Sequence, residues 1–265
     1  MDYQYKKENY EFWTQRLLKK SPKQVCTNDI GLDALEIEQI LSKLTHRRSV
    51  LEIGCGNGLL YEQIKTSFDK IDYVGIDFVE ELIAVCNEKK IDSRDEFKIM
   101  DMTEIKQNSF NSTFDFIISK RAIQQVTDQK LQIKVIDNLG SLLKDNGIII
   151  LVENSNTVQT KINSVRHEYG LPKITPPPHN LYFDDTLLRN HKFKHIKLLK
   201  IDPFASDFYF ITRIVYARLA RDFLKEEPNY DHPLQKIALS MSTRQATEGF
   251  SQIQCYVFKK NNRHN

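Results

Sequence analysis

Glycine is scarce in this 265-residue chain, which has nine, and tryptophan occurs once. Cysteine is scarce too: Cys26, Cys55, Cys86 and Cys255 stand far apart and form no C-x-x-C pair, which excludes a zinc knuckle and a thioredoxin-like redox motif. Reduced thiols in a cytoplasmic setting are the expectation. No apolar run approaches the roughly 20 residues that span a bilayer, and the start, MDYQYKKENYEFW, has no apolar stretch of signal-peptide type. Membrane insertion and secretion are therefore not expected. Charge of one sign is also missing. The 38 Lys and Arg against 35 Asp and Glu leave a formal net charge of +3, short of the basic field that dominates nucleic-acid affinity. Of seven histidines only His191 and His195 stand close together, in an alternating segment that reads as strand, so no metal site is expected.

What is present is a regular alternation. Short β-rich apolar runs at 49–53, 73–77, 96–99, 114–119, 147–153, 195–202 and 252–258 predict seven strands. Between the first five, residues 59–67, 79–87 and 129–143 carry apolar side chains at helical spacing. Successive β-α steps imply right-handed crossovers and a doubly wound, Rossmann-like α/β sheet. There is no internal repeat. Residues 1–48 read as an aromatic-rich helical lid ahead of a main domain at 49–265, which carries cap insertions at about 156–192 and 203–248. The first insertion holds four of the eight prolines, which favour an extended segment over a helix. The second contains DFYFITRIVYARLARDFL, whose helical stripe Phe208, Ile211, Val215 and Leu219 places Arg213 on the solvent side. The basic tail KKNNRHN reads as a frayed end.

Three of the nine glycines fall in LEIGCGNG, directly after the first predicted strand and before a helix. Gly54, Gly56 and Gly58 permit a sharp turn and close approach of a ligand to the backbone, and the helix start offers unpaired N–H donors. The alternative is a glycine turn without a ligand. A dinucleotide fingerprint, G-x-G-x-x-G, needs glycine at 59, where Leu59 stands. Glu52 at the strand end disfavours a pyrophosphate and suits a cation with an amino group and a sulfonium. Asp77 ends the second strand in YVGIDF; taken alone it reads equally well as a helix N-cap.

The run E-x-G-x-G-x-G resembles motif I of class I S-adenosylmethionine-dependent methyltransferases, and the resemblance extends over residues 49–154. It implies S-adenosyl-L-methionine as cofactor and S-adenosyl-L-homocysteine as product. It places Glu52, Gly54, Gly56, Asn57 and Gly58 at the cofactor, Asp77 on the ribose hydroxyls with Phe78 against adenine, and Asp101 and Met102 beside the adenine amino group. Ser119, Lys120 and Arg121, in FIISKRA, fall near the transferring methyl, and Glu153 ends the fifth strand. Beyond it, ENSNTVQTKINSVRHEYGLPKITPPPHNLYFDD resembles small methyltransferases of bacterial surface (capsular or O-antigen) polysaccharide biosynthesis. That implies a small nucleotide- or sugar-linked substrate and O-methylation, on a sugar hydroxyl or on the phosphoramidate oxygen of a capsular modification.

A hydroxyl acceptor calls for a base, and His179 after three prolines is the first candidate, with Glu153 and His167 behind it. An anionic acceptor calls instead for cationic clamps from Lys120, Arg121, Arg166 and Arg213, with Asn180, Tyr182 and Tyr209 completing the substrate set. Two rival readings stand beside these. One is an RNA or other macromolecule methyltransferase, disfavoured by SKRA where exocyclic amino methyltransferases have N/D-P-P-Y/F. The other is a catalytically silent binding protein, disfavoured by the full set of cofactor acids. No oligomeric state is implied.

Overall fold

The computed structural model describes residues 3–45, 49–68, 70–242 and 249–261, with side chains from residue 6 onward. Residues 1–2 and 46–48 of the predicted lid, 243–248 of the second insertion and 262–265 of the basic tail lie outside the described residues. Helices α1 (Tyr3–Lys19) and α2 (Ile30–Leu41) lead into β1 (Ser49–Ile53), α3 (Leu59–Ser67), β2 (Asp72–Asp77), α4 (Glu80–Glu88) and β3 (Glu96–Ile99). Then follow β4 (Phe114–Lys120), α5 (Gln129–Ser141), β5 (Leu143–Asn154), α6 (Asn156–Glu168), α7 (Asp185–Asn190) and β6 (Ile196–Pro203). The chain ends through α8 (Ser206–Phe210), α9 (Ala217–Leu219), α10 (Pro233–Met241) and β7 (Ile253–Lys260).

The seven strands form one sheet in the order β3-β2-β1-β4-β5-β7-β6. The strands β1 to β5 run parallel. Only the last strand reverses, lying antiparallel between β5 and β6. Strand alternation divides the core. Val50, Phe116, Ile118, Ile150 and Val152 face one layer with α2 and α3 residues, while Leu51, Ile53, Ile117, Ile149 and Leu151 face the other with α5. Because β1 pairs with β2 on one side and β4 on the other, the strand order reverses there. A crevice opens at the carboxyl ends of these strands, the usual ligand position in such sheets.

Side-chain caps start the surrounding helices: Asp29 accepts from Leu32 N at 3.0 Å, Asp128 from Leu131 N at 2.8 Å, Ser155 from Val158 N at 3.1 Å and Asp184 from Leu187 N at 2.9 Å. The proline-rich segment forms no helix between α6 and α7. Its far end is tied down by Leu181 N donating to Gln124 O at 2.7 Å and Phe183 N to Asn154 O at 2.8 Å.

The helix-like run after residue 206 departs from the expected phase. It is α-helical only at its start and at α9, with π-helical turns at Ile211–Tyr216 and Ala220–Leu224. Each wider turn advances the helix by an extra residue. Tyr216 and Ala220 are therefore buried, Val215 is 45% exposed, and Arg213 faces inward rather than to solvent. Among the described residues, no helix is long and apolar enough to cross a membrane.

Candidate active site

The glycine turn sits at the mouth of that crevice. Gly54, Gly56 and Gly58 all have positive φ, at 69°, 54° and 80°, a region open to glycine and costly for other residues. Space adds to the requirement: a Cβ on Gly54 would stand 2.3 Å from Ala122 Cβ, and one on Gly56 2.6 Å from Cys26 Sγ. Asp77 locks the turn to the second strand. Its carboxylate accepts from Gly56 N at 2.9 Å and from Val79 N at 3.0 Å, so it anchors the loop and the entry to α4 at once.

Around this turn lies a cavity whose wall includes Glu52, Gly54, Gly56, Asn57, Asp77, Phe78, Asp101, Met102, Lys120, Arg121, His179 and Asn180. Twelve positions singled out in the sequence are thus brought together from strand ends and loops spanning 129 residues of chain. Burial pushes Glu52 up to about 8 and Asp77 up to about 6. The Tyr73 hydroxyl donates to Glu52. At Asp101, burial acts to raise the carboxyl, but Lys6 and Thr103 outweigh it and hold it below the usual carboxylate range. Lys6 Nζ lies 2.5 Å from Asp101 Oδ2, and Thr103 donates its N–H and hydroxyl to Oδ1 at 2.8 and 2.7 Å.

Several sequence expectations are corrected. His167 is on the outer, exposed side of α6 and does not reach the cavity. Glu153 and Ser119 are fully buried behind the wall. Glu153 accepts from Ser119 Oγ at 2.8 Å and from the backbone N–H of Ala122, Ile123 and Gln124 at 3.2, 3.0 and 3.2 Å. It thereby shapes the loop after β4 instead of facing a ligand. Gly58 sits at the N-terminal boundary of α3, off the cavity wall. Arg166 donates to the carbonyls of Pro172, at 2.8 Å, and Arg213. Tyr182, Tyr209 and Arg213 also lie off the wall, in a polar layer near Arg121 in which Tyr209 is buried and the other two half-buried.

That layer is organised by residues not among the site residues expected from the sequence. Asp29, the N-cap of α2, and Asp33 and Glu36 on that helix are buried although all three are acidic. Lys120 pairs with Asp33, Arg121 reaches Asp33 at 3.1 Å and Glu36 at 3.0 Å, and Arg213 reaches Asp29 at 2.9 Å. The Glu36 contact has the distance of an ion pair without a directed hydrogen bond. Burial pushes Glu36 up to about 7 despite Arg121 and Lys120. Arg121 itself has φ 55°, a strained setting for a non-glycine residue. The signal for these acids was their interleaving with Leu32 and Leu35 on one helix face.

Helix α1 forms another side of the cavity through Lys6, Asn9 and Trp13, and Cys26, Gln124 and Gln125 complete it. Tyr10 donates to Glu81 at 2.7 Å and Trp13 Nε1 to Gln125 at 2.8 Å, which fixes α1 against the fold. His179 rests on Phe12, ring centres 4.4 Å apart, with Trp13 edge-on at 6.4 Å. Burial and the Arg16 charge lower its pKa. No group of three or more His, Cys, Asp or Glu is placed to hold a metal among the described residues.

Comparison with known proteins agrees with this architecture. The malonyl-[acyl-carrier protein] O-methyltransferase of Bacillus anthracis is 28% identical over 158 residues, 56% of this chain and 56% of its own length. The same enzyme of Bacillus cytotoxicus is 30% identical over 117 residues, 42% of this chain and 39% of its own. The chain thus spans between 39% and 56% of the length of these two relatives. Among solved structures, the plantazolicin methyltransferase BpumL in complex with a triazolic desmethylPZN analog and SAH aligns with a TM-score of 0.53 and 18% identity, covering 96% of this chain and 95% of that one. The N-methyltransferase NodS from Bradyrhizobium japonicum WM9 in complex with S-adenosyl-L-homocysteine aligns with a TM-score of 0.57 and 12% identity, covering 96% and 98%. At such identities the likeness is one of fold. A family model described as a methyltransferase domain matches residues 44–197, more than half of the chain, which therefore belongs to that family as a class I S-adenosylmethionine-dependent methyltransferase domain.

Proposed function

We propose that this chain transfers a methyl group from S-adenosyl-L-methionine to an oxygen of a small sugar- or phosphate-containing precursor of a bacterial surface polysaccharide. The observation that carries the reading is one cavity with two chemically distinct ends: Glu52, Asp77 and Asp101 at one, His179, Asn180, Lys120 and Arg121 at the other. The acidic end fits the cofactor, a cation with a diol and an exocyclic amine. Asp77 keeps lone pairs for ribose hydroxyls after accepting from Gly56 and Val79. Glu52 meets positive charge, Asp101 takes the adenine amino group, and Phe78 and Met102 flank the ring. The bound sulfonium supplies an electrophilic methyl group.

What the protein adds is alignment of acceptor, methyl and sulfur. Helix α1 acts as the lid, with Trp13 over the transfer region. His179, whose protonated form is disfavoured by burial and by Arg16, takes the proton of a hydroxyl acceptor, a role worth about 10² to 10⁴ in rate. Lys120, Arg121 and Asn180 contact the acceptor, while Tyr182, Tyr209, Arg166 and Arg213 support them from behind. Glu153 is a positioning residue for the loop after β4.

The test incubates the protein with methyl-labelled S-adenosylmethionine and a bacterial extract, then separates nucleotide-linked metabolites, polysaccharide, RNA and protein. Label in the first two fractions is the expected result. Label confined to RNA would identify a nucleic-acid substrate, and label confined to protein would favour a carrier-bound acceptor like the one the Bacillus relatives are named for; either would overturn the small-molecule reading.

A further inference from the structure

The loop after β4 carries a buried amide whose hydrogen bonding is complete at one arm only. Gln124 is 3% exposed and lines the cavity. Its Oε1 accepts from Asn154 N at 3.0 Å and from Asn154 Nδ2 at 2.8 Å. A backbone N–H only donates, so the first of these contacts fixes which arm of the amide is oxygen and which is nitrogen. The nitrogen arm, Nε2, donates to no protein atom among the described residues. It is also not one of the enclosed polar atoms left without a partner. The small surface that Gln124 keeps therefore includes Nε2, and only an oxygen of a ligand or of solvent completes its bonding.

The other bonds of Gln124 place it at the acceptor end. Its N–H donates to Glu153 Oε2 at 3.2 Å, and its carbonyl accepts from Leu181 N at 2.7 Å, directly after His179 and Asn180. Asn154 ends β5, which lies across β4 from the strands carrying Glu52 and Asp77. Gln124 thus belongs to the β5 side of the cavity, away from those cofactor acids. The cations of this end are turned to carboxylates of α2, Lys120 to Asp33 and Arg121 to Asp33 and Glu36. Gln124 instead offers a neutral donor, already held at its N–H, its carbonyl and its Oε1, so little ordering remains to be done when a partner arrives.

Resting on the methyltransferase reading of this cavity, we propose that Gln124 is a specificity-determining residue whose Nε2 donates a hydrogen bond to a second oxygen of the acceptor molecule, beside the oxygen that is methylated. Preferred acceptors then carry two neighbouring oxygens, as a sugar diol does. The two oxygens have separate roles. The one on Gln124 accepts a hydrogen bond and gives up no proton, and its lone pair is not the one that attacks. The other forms the new bond to the methyl carbon while the carbon–sulfur bond breaks and its electron pair stays on sulfur. The single proton of that second hydroxyl goes to His179. An acceptor without the neighbouring oxygen leaves the Gln124 donor unpaired in a buried site, and a site built around such a bond rejects the analogue that lacks it.

Two variants test this, assayed with saturating methyl-labelled S-adenosylmethionine and serial dilutions of the extract fraction that the native protein labels. Gln124→Glu keeps an oxygen for Asn154 and replaces the donor arm by a second oxygen, whereas Gln124→Met removes both. The assay is run at pH 8.5, which favours the ionised form of the new carboxyl. Gln124→Glu should raise the half-saturating amount of extract on the order of tenfold, the effect of one buried hydrogen bond, with S-adenosylhomocysteine binding unchanged by Trp13 fluorescence. Gln124→Met should show a comparable rise and, having lost the Asn154 contact as well, a lower unfolding temperature. Native half-saturation in Gln124→Glu overturns the proposal, because a loss confined to Gln124→Met would make Gln124 a prop for Asn154 and nothing more. Weakened S-adenosylhomocysteine binding by Gln124→Glu also overturns it, by placing Nε2 at the cofactor. If Gln124→Glu does not fold, Gln124→Met with intact S-adenosylhomocysteine binding decides by the same shift in half-saturation, and its absence overturns the proposal. Failure of S-adenosylhomocysteine to quench Trp13 fluorescence of the native protein saturably would instead bring down the underlying methyltransferase reading.

Discussion

On the proposed reading, cofactor binding at Asp101 competes with an ion pair already in place. Lys6 from α1 sits 2.5 Å from Asp101 Oδ2, the oxygen left over once Oδ1 is taken by Thr103. The Lys6 side chain is 34% exposed and that of Asp101 21%, so the pair belongs near the upper end of the range for solvent-screened pairs, about 1 kcal/mol. An adenine amino group that takes over Oδ2 must displace this contact. Lys6→Met removes the competitor while leaving α1 held by Tyr10 to Glu81 and Trp13 to Gln125. The variant should bind S-adenosylhomocysteine more tightly, by up to about fivefold for 1 kcal/mol. Trp13 is the only tryptophan in the chain and lines the cavity, so intrinsic fluorescence titration reads the affinity directly. Salt screens the pair, and raising ionic strength should bring the native protein toward the variant. Unchanged affinity for Lys6→Met alongside weakened binding by Asp101→Asn would refute the competition. Weaker binding by Lys6→Met would make Lys6 a cofactor contact instead.

Two further outcomes follow from the buried acids. Glu153→Ala strips the partner from three backbone N–H groups and the Ser119 hydroxyl. Urea unfolding should show a loss of roughly 3 kcal/mol or more, and a loss under about 1 kcal/mol would show that the loop after β4 does not depend on that carboxylate. Glu52 is pushed up to about 8 by burial, so near neutral pH it is largely protonated, and a cationic ligand must drive off that proton. Affinity for S-adenosylmethionine should therefore climb as pH rises from 6.5 toward 8 and level off above it, while Glu52→Gln flattens the climb. A flat native profile over the same interval, measured by the same titration, would show that Glu52 does not meet the cation.

Much of the sheet was legible because its signals are local. Predicted strands at 49–53 and 96–99 coincide with β1 and β3, and the others differ only at their ends, since alternation of apolar residues and the glycine cluster need no knowledge of distant contacts. The misplaced residues fail for the opposite reason. His167 and Arg166 are neighbours in sequence, yet one helical step sends the first to solvent and the second inward. The π-helical turns at Ile211–Tyr216 and Ala220–Leu224 shift the register that an ideal helix assigns, which turned Arg213 inward against its predicted side. Asp33 and Glu36 were unreadable as site residues because their partners Lys120 and Arg121 lie 87 and 88 positions away from Asp33. Buried charge is tolerated only when paired, and such pairing is a property of the folded chain.

The boundaries of the family match explain why the reaction class is easier to reach than the acceptor. The match runs from 44 to 197 and includes Glu52, Asp77 and Asp101, the acids suited to the cofactor. Helix α1 with Lys6 and Trp13, helix α2 with Asp29, Asp33 and Glu36, and the run carrying Tyr209 and Arg213 all lie outside it. Lys120, Arg121, His179 and Asn180 lie inside the match, whereas the acids that pair with Lys120 and Arg121 come from a flanking segment. A change of Asp33 and Glu36 on α2 to neutral residues would leave Glu52, Asp77 and Asp101 as they are and remove the carboxylates that face Lys120 and Arg121. The substrates named for relatives whose match covers 56% or 42% of this chain therefore do not transfer to it.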